Sequence, residues 1–246
     1  MSYRKNRLML HCYYMNLCCD CSKEQSQAFY EELPEERQER IRCMKNPALA
    51  KKKILTGHFL QVILQEETGI ELRKQRYVYN EMGRPSLADR TVDFNLSDSG
   101  DYAVLAVSDR AVGIDIERRK KNHLTIAKRC FCPEEYEDIV AAGGPEQQEL
   151  RFRMYWTMKE AYVKCMGSGL AIPLHSFRVV WDEDYTRSHI IIEENGESAV
   201  VAYGYTILLP GQAEEYYVSV CQQEPVEEVS LTGIRKGCLH DRNFSA

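Results

Sequence analysis

The chain has no apolar run long enough to cross a membrane or to act as an export signal. Its N-terminal stretch from Leu8 to Leu17 is short and interrupted by His11 and Asn16. That absence predicts a cytoplasmic protein with no membrane contact. A basic excess is also missing: 37 acidic against 32 basic side chains give a formal charge of −5, which argues against a nucleic-acid partner. Any anionic ligand must be held locally. There are ten cysteines, yet no second C-x-x-C or spaced His pair completes a zinc set around Cys18/Cys21 or Cys130/Cys132. Without an export signal a disulfide framework is not expected either, and reduced thiols are the reading. No Walker loop, G-x-S-x-G elbow or H-E-x-x-H helix occurs.

What is present suits a folded enzyme-sized unit. The 246 residues are 44% hydrophobic and 28% charged, enough for one compact body or two halves of about 120 residues each. Pro34 to Lys45 is charged and helix-compatible. Pro47 then opens a helical pattern through Ile54, Leu55, Leu60, Ile63 and Leu64 that ends near Gly69. Short β-like runs follow at 76–79, 92–96, 102–107 and 112–117, separated by turn residues. A second helix-rich stretch spans Leu124 to Ala142, and after Gly143-Gly144-Pro145 a long helical pattern runs from Glu146 to Met166. Strand-like segments return at 177–181, 189–192, 200–209 and 216–221.

The order helix-then-strands occurs twice, which predicts an α+β fold of two similar halves, each with helices packed on an antiparallel sheet. The divisions expected are residues 1–111, residues 112–225 and a loosely held tail from 226 to 246.

Four segments carry chemistry. Gly113-Ile114-Asp115-Ile116-Glu117 alternates with period two, so Asp115 and Glu117 share one strand face while Ile114 and Ile116 enter the core. Two adjacent carboxylates suit either a solvated face or a Mg²⁺ held jointly with substrate phosphates. In the long helical pattern, Trp156, Glu160 and Lys164 lie at i, i+4 and i+8 on one face, where Glu160 and Lys164 are either a surface pair or a third carboxylate with its cation. Basic residues gather from Arg37 to Lys53, and Arg84 sits on a Gly-Arg-Pro turn; these are solvated cations or a clamp on a phosphorylated ligand. Ser97-Asp98-Ser99-Gly100 ends a strand either as a plain turn or as a phosphate cradle.

Gly-Arg-Pro (83–85), Phe-Asn-Leu-Ser-Asp-Ser-Gly (94–100), Gly-Ile-Asp-Ile-Glu (113–117) and Trp-x-x-Lys-Glu-Ala-x-x-Lys (156–164) occur in one order and spacing. Lys128-Arg129, Phe131 and Glu135-Tyr136 stand between the last two. Over about residues 34 to 223 the chain resembles the 4′-phosphopantetheinyl transferases, specifically the long, pseudo-dimeric type that activates nonribosomal peptide and polyketide synthases.

The resemblance implies a pseudo-twofold α+β fold with the active site in the cleft between the halves. It implies transfer of the phosphopantetheine arm of coenzyme A to a serine of an apo acyl or peptidyl carrier protein, with release of adenosine 3′,5′-bisphosphate. By the same resemblance Asp115, Glu117 and Glu160 would hold Mg²⁺, with Mn²⁺ the alternative, and Glu160 would be the base for the carrier serine. Lys164 would meet the pyrophosphate and the leaving phosphate. Arg37, Arg40 and Lys53 would serve the 3′-phosphate, Gly83 and Arg84 the adenine nucleotide, and Ser97 and the neighbouring Asp98 its phosphates. A fused two-half chain implies a monomer, with the carrier docking on the segment from Leu124 to Ala142.

One departure stands out. The family's usual histidine between the two serines is Asp98 here, a carboxylate that repels a pyrophosphate unless a lysine or a metal offsets it. Weaker coenzyme A binding than in a histidine-bearing relative is the expectation. Two other readings use the same residues: a binding module for coenzyme A or carrier protein that has lost transfer, and a Mg²⁺-dependent phosphohydrolase acting on coenzyme A.

Overall fold

The computed structural model describes residues 9–18, 21–119, 124–213 and 215–234. Strand β1 (Leu10–Asn16) is followed by helix α1 (Lys23–Glu32), helix α2 (Glu35–Arg42) and helix α3 (Pro47–Thr68). Strands β2 (Tyr77–Tyr79) and β3 (Pro85–Leu87) form a small hairpin before β4 (Asp93–Ser99), β5 (Tyr102–Ser108) and β6 (Val112–Arg118). Helices α4 (Leu124–Cys130), α5 (Pro133–Ala141) and α6 (Pro145–Met166) come next, then strands β7 (Arg178–Trp181), β8 (Arg187–Glu194), β9 (Glu197–Ile207), β10 (Tyr216–Gln222) and β11 (Ser230–Ile234). The expected α+β class is the one observed.

Local signals account for the helix ends. Asn46 accepts hydrogen bonds from the amides of Ala48 and Leu49, Pro47 takes the first helical position, and Gly69 closes α3 in the left-handed region. Ser22 and Gln25 make a reciprocal capping box at α1. The helix-rich stretch from 124 to 142 divides into α4 and α5 because Pro133 holds Cys132 extended.

Two sheets carry the body of the fold. The first runs β11-β1-β5-β4 and the second β6-β10-β9-β8-β7. Alternate residues decide what each face meets. Along β5, Ala103, Leu105 and Val107 pack with Leu55, Phe59 and Ile63 of α3, while Val104 and Ala106 turn toward Ile114, Val218 and Val220 of the second sheet. Met158, Ala161 and Cys165 of α6 cover the far side of the second sheet with Val179, Ile190 and Cys221. Each sheet therefore bears one 22-residue helix on its outer face, and the two sheets share a core between them.

Three features differ from the sequence expectation. Strand β1 lies in a stretch too mixed to stand out, but it pairs with β5 on one side and β11 on the other. Helix α1 is a further element. The chain after residue 225 is also not wholly loose: Val226 is buried and β11 adds to β1 in parallel, so this sheet is not purely antiparallel and takes its edge strand from the C-terminal segment. Tertiary pairing, not the weak apolar content of Ser230–Ile234, sets that strand. Residues 235–246 lie outside the described residues.

The two sheets also meet along an edge, where β4 faces β6. Asp93, Asn95 and Ser99 of β4 accept hydrogen bonds from the backbone amides of Val112, Ile114 and Arg118. Ser97 donates to the Asp115 side chain. Odd-numbered side chains of β4 thus replace a missing backbone ladder and cover an edge that would otherwise be open.

Candidate active site

Period two on β6 places Gly113, Asp115 and Glu117 on the side of α6. Gly113 is required there: a Cβ at this position would come 2.0 Å from the Ala161 carbonyl oxygen and 2.4 Å from the Cys165 amide nitrogen. The glycine lets α6 lie against β6, and its successor Asp115 reaches Lys164.

Asp115 is 6% exposed. Its Oδ1 accepts from Lys164 Nζ at 2.6 Å and from Ser97 Oγ at 2.9 Å, whereas its buried Oδ2 has no hydrogen-bond partner among the described residues. Lys164 Nζ also donates to Ser97 Oγ and to the Ile114 carbonyl, so one cation is shared among three acceptors. Glu117 Oε2 accepts from Ser99 Oγ at 3.3 Å. Burial raises the pKa of Asp115, and Lys164 opposes that rise. Burial likewise raises Glu160, and the charges of Asp115 and Glu117 raise it further against the pull of Lys164. Three carboxylates with one ammonium make a site short of positive charge.

Carboxylate oxygens, one of them buried and unpartnered among the described residues, are the chemistry a hard divalent cation prefers. Among the described residues no group of three or more such side chains converges tightly enough to hold an ion alone. That is compatible with Mg²⁺, which commonly takes one or two carboxylates and completes its shell with water and substrate phosphate.

A cavity of about 240 Å³ opens on the first half, lined by Arg37, Arg40, Tyr77, Tyr79, Gly83 and Asn95 among others. Arg37 lines it half-buried: burial lowers its guanidinium pKa, and Tyr77, Tyr79 and the charge of Asp98 oppose that fall. Gly57 makes the space, since a Cβ there would stand 3.0 Å from Arg37 Nη1. Arg40 lies over the Tyr79 ring, 5.6 Å from its centroid. Asn95 borders this cavity and lies two residues before Ser97 on β4, so one strand joins the guanidinium cavity to the carboxylate site.

The residues singled out in the sequence therefore separate into groups. Asp115, Glu117, Glu160, Lys164 and Ser97 meet in one site, and Arg37, Arg40 and Gly83 meet at the cavity. Lys53 pairs with Asp98. Arg84 turns away from the cavity lining and bonds inside the protein. Lys51 and Lys52 are tied to Cys21 and Asp101. Gly57, Asp93, Asn95 and Gly113 carry geometry that sequence reasoning did not assign. A glycine inside an otherwise helical pattern, costly by about 1 kcal/mol relative to alanine, was the signal available for Gly57.

Comparison with known proteins gives a match of residues 111–221 to the model of the 4′-phosphopantetheinyl transferase superfamily. The chain is 32% identical over 192 residues to a 4′-phosphopantetheinyl transferase of Bacillus subtilis, covering 77% of this chain and 82% of that one. It is 31% identical over 220 residues to the 4′-phosphopantetheinyl transferase gsp of Aneurinibacillus migulanus, covering 89% and 84%. Against the 4′-phosphopantetheinyl transferase Sfp of Bacillus subtilis (strain 168) it is 29% identical over 205 residues, covering 83% and 88%.

Proposed function

The chain belongs to the 4′-phosphopantetheinyl transferase family, and we propose that it moves the phosphopantetheine arm of coenzyme A onto a serine of an apo acyl or peptidyl carrier protein. The observation that carries this reading is the single strand β4, which runs from a cavity lined by the Arg37 and Arg40 guanidinium groups to a carboxylate site with its own lysine. A substrate with a terminal phosphate at one end and a pyrophosphate at the other answers both.

In this reading Arg37 and Arg40 take the 3′-phosphate as charge-assisted donors, and Gly83 lies beside the nucleotide. Ser97 and Lys164 meet the pyrophosphate. Asp115, Glu117 and Glu160 are the residues that would hold Mg²⁺ or Mn²⁺; when bound, the ion supplies charge neutralisation at the pyrophosphate. The carrier serine oxygen bonds to the phosphorus that bears the pantetheine arm, and the bond from that phosphorus to the bridging oxygen breaks. The electron pair leaves on adenosine 3′,5′-bisphosphate. Glu160 accepts the serine proton, directly or through a water. Lys164 offsets charge on the leaving phosphate, in a reaction that depends on positioning and electrostatics.

No helix among the described residues is long and apolar enough to cross a membrane; a cytoplasmic monomer is the reading we carry for a chain of two fused halves. Helices α4 and α5, which expose Ile126 and Val140, are the surface proposed for the carrier. The test is the intact mass of an apo carrier protein after incubation with this enzyme, coenzyme A and Mg²⁺. A gain of one phosphopantetheine, lost with Glu160→Gln, is expected. No gain over several carriers would overturn the reading.

A further inference from the structure

A helix of 22 residues leaves its last carbonyls without intrahelical donors. In α6 the Gly167 amide and the Ser168 hydroxyl meet the carbonyls of Lys164 and Met166, and the first half of the molecule supplies further donors. Arg84 Nη1 donates to the carbonyls of Lys164 at 2.6 Å and Cys165 at 3.1 Å, and Asn80 Nδ2 donates to that of Gly167 at 2.8 Å. The other arm of the same guanidinium, Nη2, donates to Asp93 Oδ2 at 2.6 Å and to the Val112 carbonyl at 2.9 Å. Asp93 Oδ2 in turn accepts from the Val112 amide. One planar cation thus binds the end of α6, the start of β4 and the start of β6.

The turn is built to present it. Asn80 Oδ1 accepts from the amides of Met82 and Arg84, the Asn80 amide donates to the Arg84 carbonyl, and Gly83 takes a φ of 78° that the turn requires. A cation at a helix C-terminus also opposes the negative end of the helix dipole. Lys164 is held at both ends: Arg84 binds its carbonyl while its Nζ reaches Asp115 and Ser97.

We infer that Arg84 is a positioning residue of the transfer reaction, which caps α6 from the first half and so fixes Lys164 and Glu160 against β4 and β6. This rests on the transferase reading for its kinetic consequence, though the cap itself does not. The fork is essential to the arrangement, because a lysine ammonium is a point donor and cannot span both sets of acceptors in one plane.

The experiment compares Arg84→Gln, Arg84→Lys and Asp93→Asn with the wild type by kcat, KM and directly measured Kd for coenzyme A, together with hydrogen exchange of the amides at 163–169. Arg84→Gln should lower kcat about 10- to 100-fold, leave the Kd for coenzyme A within about threefold, and speed exchange at the end of α6. Arg84→Lys should recover part of kcat and Asp93→Asn should lose less than Arg84→Gln, both with unchanged Kd. A tenfold weaker Kd with unchanged kcat would overturn the inference and return Arg84 to the nucleotide. Unchanged exchange at 163–169 would also overturn it, whether or not a carrier is modified. If Arg84→Gln does not fold, the other two variants decide by the same readings, and unchanged kcat in both counts against it. Failure of the wild type to modify any carrier, with the exchange effect intact, would instead count against the transferase reading.

Discussion

Lys53 Nζ stands 2.6 Å from Asp98 Oδ1, with the lysine side chain 35% and the aspartate side chain 28% exposed. The carboxylate that takes the place of the family's usual histidine is therefore neutralised by a lysine, the one proposed from the sequence for the 3′-phosphate. The electrostatic penalty expected from Asp98 alone is reduced, and Lys53 is committed to reducing it. Asp98→Asn removes the negative charge and releases the ammonium, so the KM for coenzyme A should fall about threefold, the effect of a unit charge several ångströms away in a water-like dielectric. Lys53→Met should raise it by a similar factor. Opposite signs are the point of the comparison, and a rise in KM for Asp98→Asn would contradict the account. Asp98→His should lower KM as well, because it replaces a paired carboxylate by a neutral or cationic ring.

Arg37 should matter only for substrates that carry the phosphate it is proposed to bind. Arg37→Met is expected to raise the KM for coenzyme A about 10- to 100-fold, the loss of a charge-assisted hydrogen bond in a shielded site. With 3′-dephospho-coenzyme A, wild type and variant should perform alike. A penalty of equal size for both substrates would place Arg37 in the fold and not at the phosphate.

Much of this arrangement is legible in the sequence. The period-two run 113–117 gave the two faces of β6, and the i, i+4, i+8 series gave the face of α6 that bears Glu160 and Lys164. What could not be read were contacts between residues distant in the chain. Arg84 is 80 residues from the carbonyl it binds most closely, and nothing in a Gly-Arg-Pro turn says whether its cation faces ligand or protein. Strand β1 was missed because neither its own pattern nor its polar residues mark it as a strand; β5 and β11 do. The capping box of Ser22 and Gln25 was present as a sequence signal for α1, in a segment otherwise too polar to draw notice.

Gly113 gives a stability test of the packing between β6 and α6. The clashing atoms are helix backbone, so Gly113→Ala can be accommodated only by moving α6. A loss of about 1–3 kcal/mol on urea unfolding is expected, as for other overpacked cores, with lowered transfer activity because Lys164 and Glu160 move with the helix. An unchanged unfolding midpoint would show that the two elements are not in the contact described.

Glu160 gives a pH test. Its folded-state pKa is raised, first by burial and then by Asp115, so the folded protein holds its proton more tightly than the unfolded chain does. Below the ordinary carboxylate range both states are protonated and the effect is absent; above the raised value the ionised group costs stability in full. In EDTA, Glu160→Gln should therefore raise Tm at pH 7.5 and have little effect near pH 4. A stabilisation that does not grow with pH would contradict the assigned environment.

The central claim is transfer to a carrier, as opposed to hydrolysis or mere binding. The measurement that tests it most directly is the ratio of adenosine 3′,5′-bisphosphate released to carrier protein modified, with and without apo carrier present. The account predicts one bisphosphate per modified serine and negligible release when carrier is omitted. Release that proceeds equally well without carrier would show water, not serine, to be the nucleophile and would contradict it.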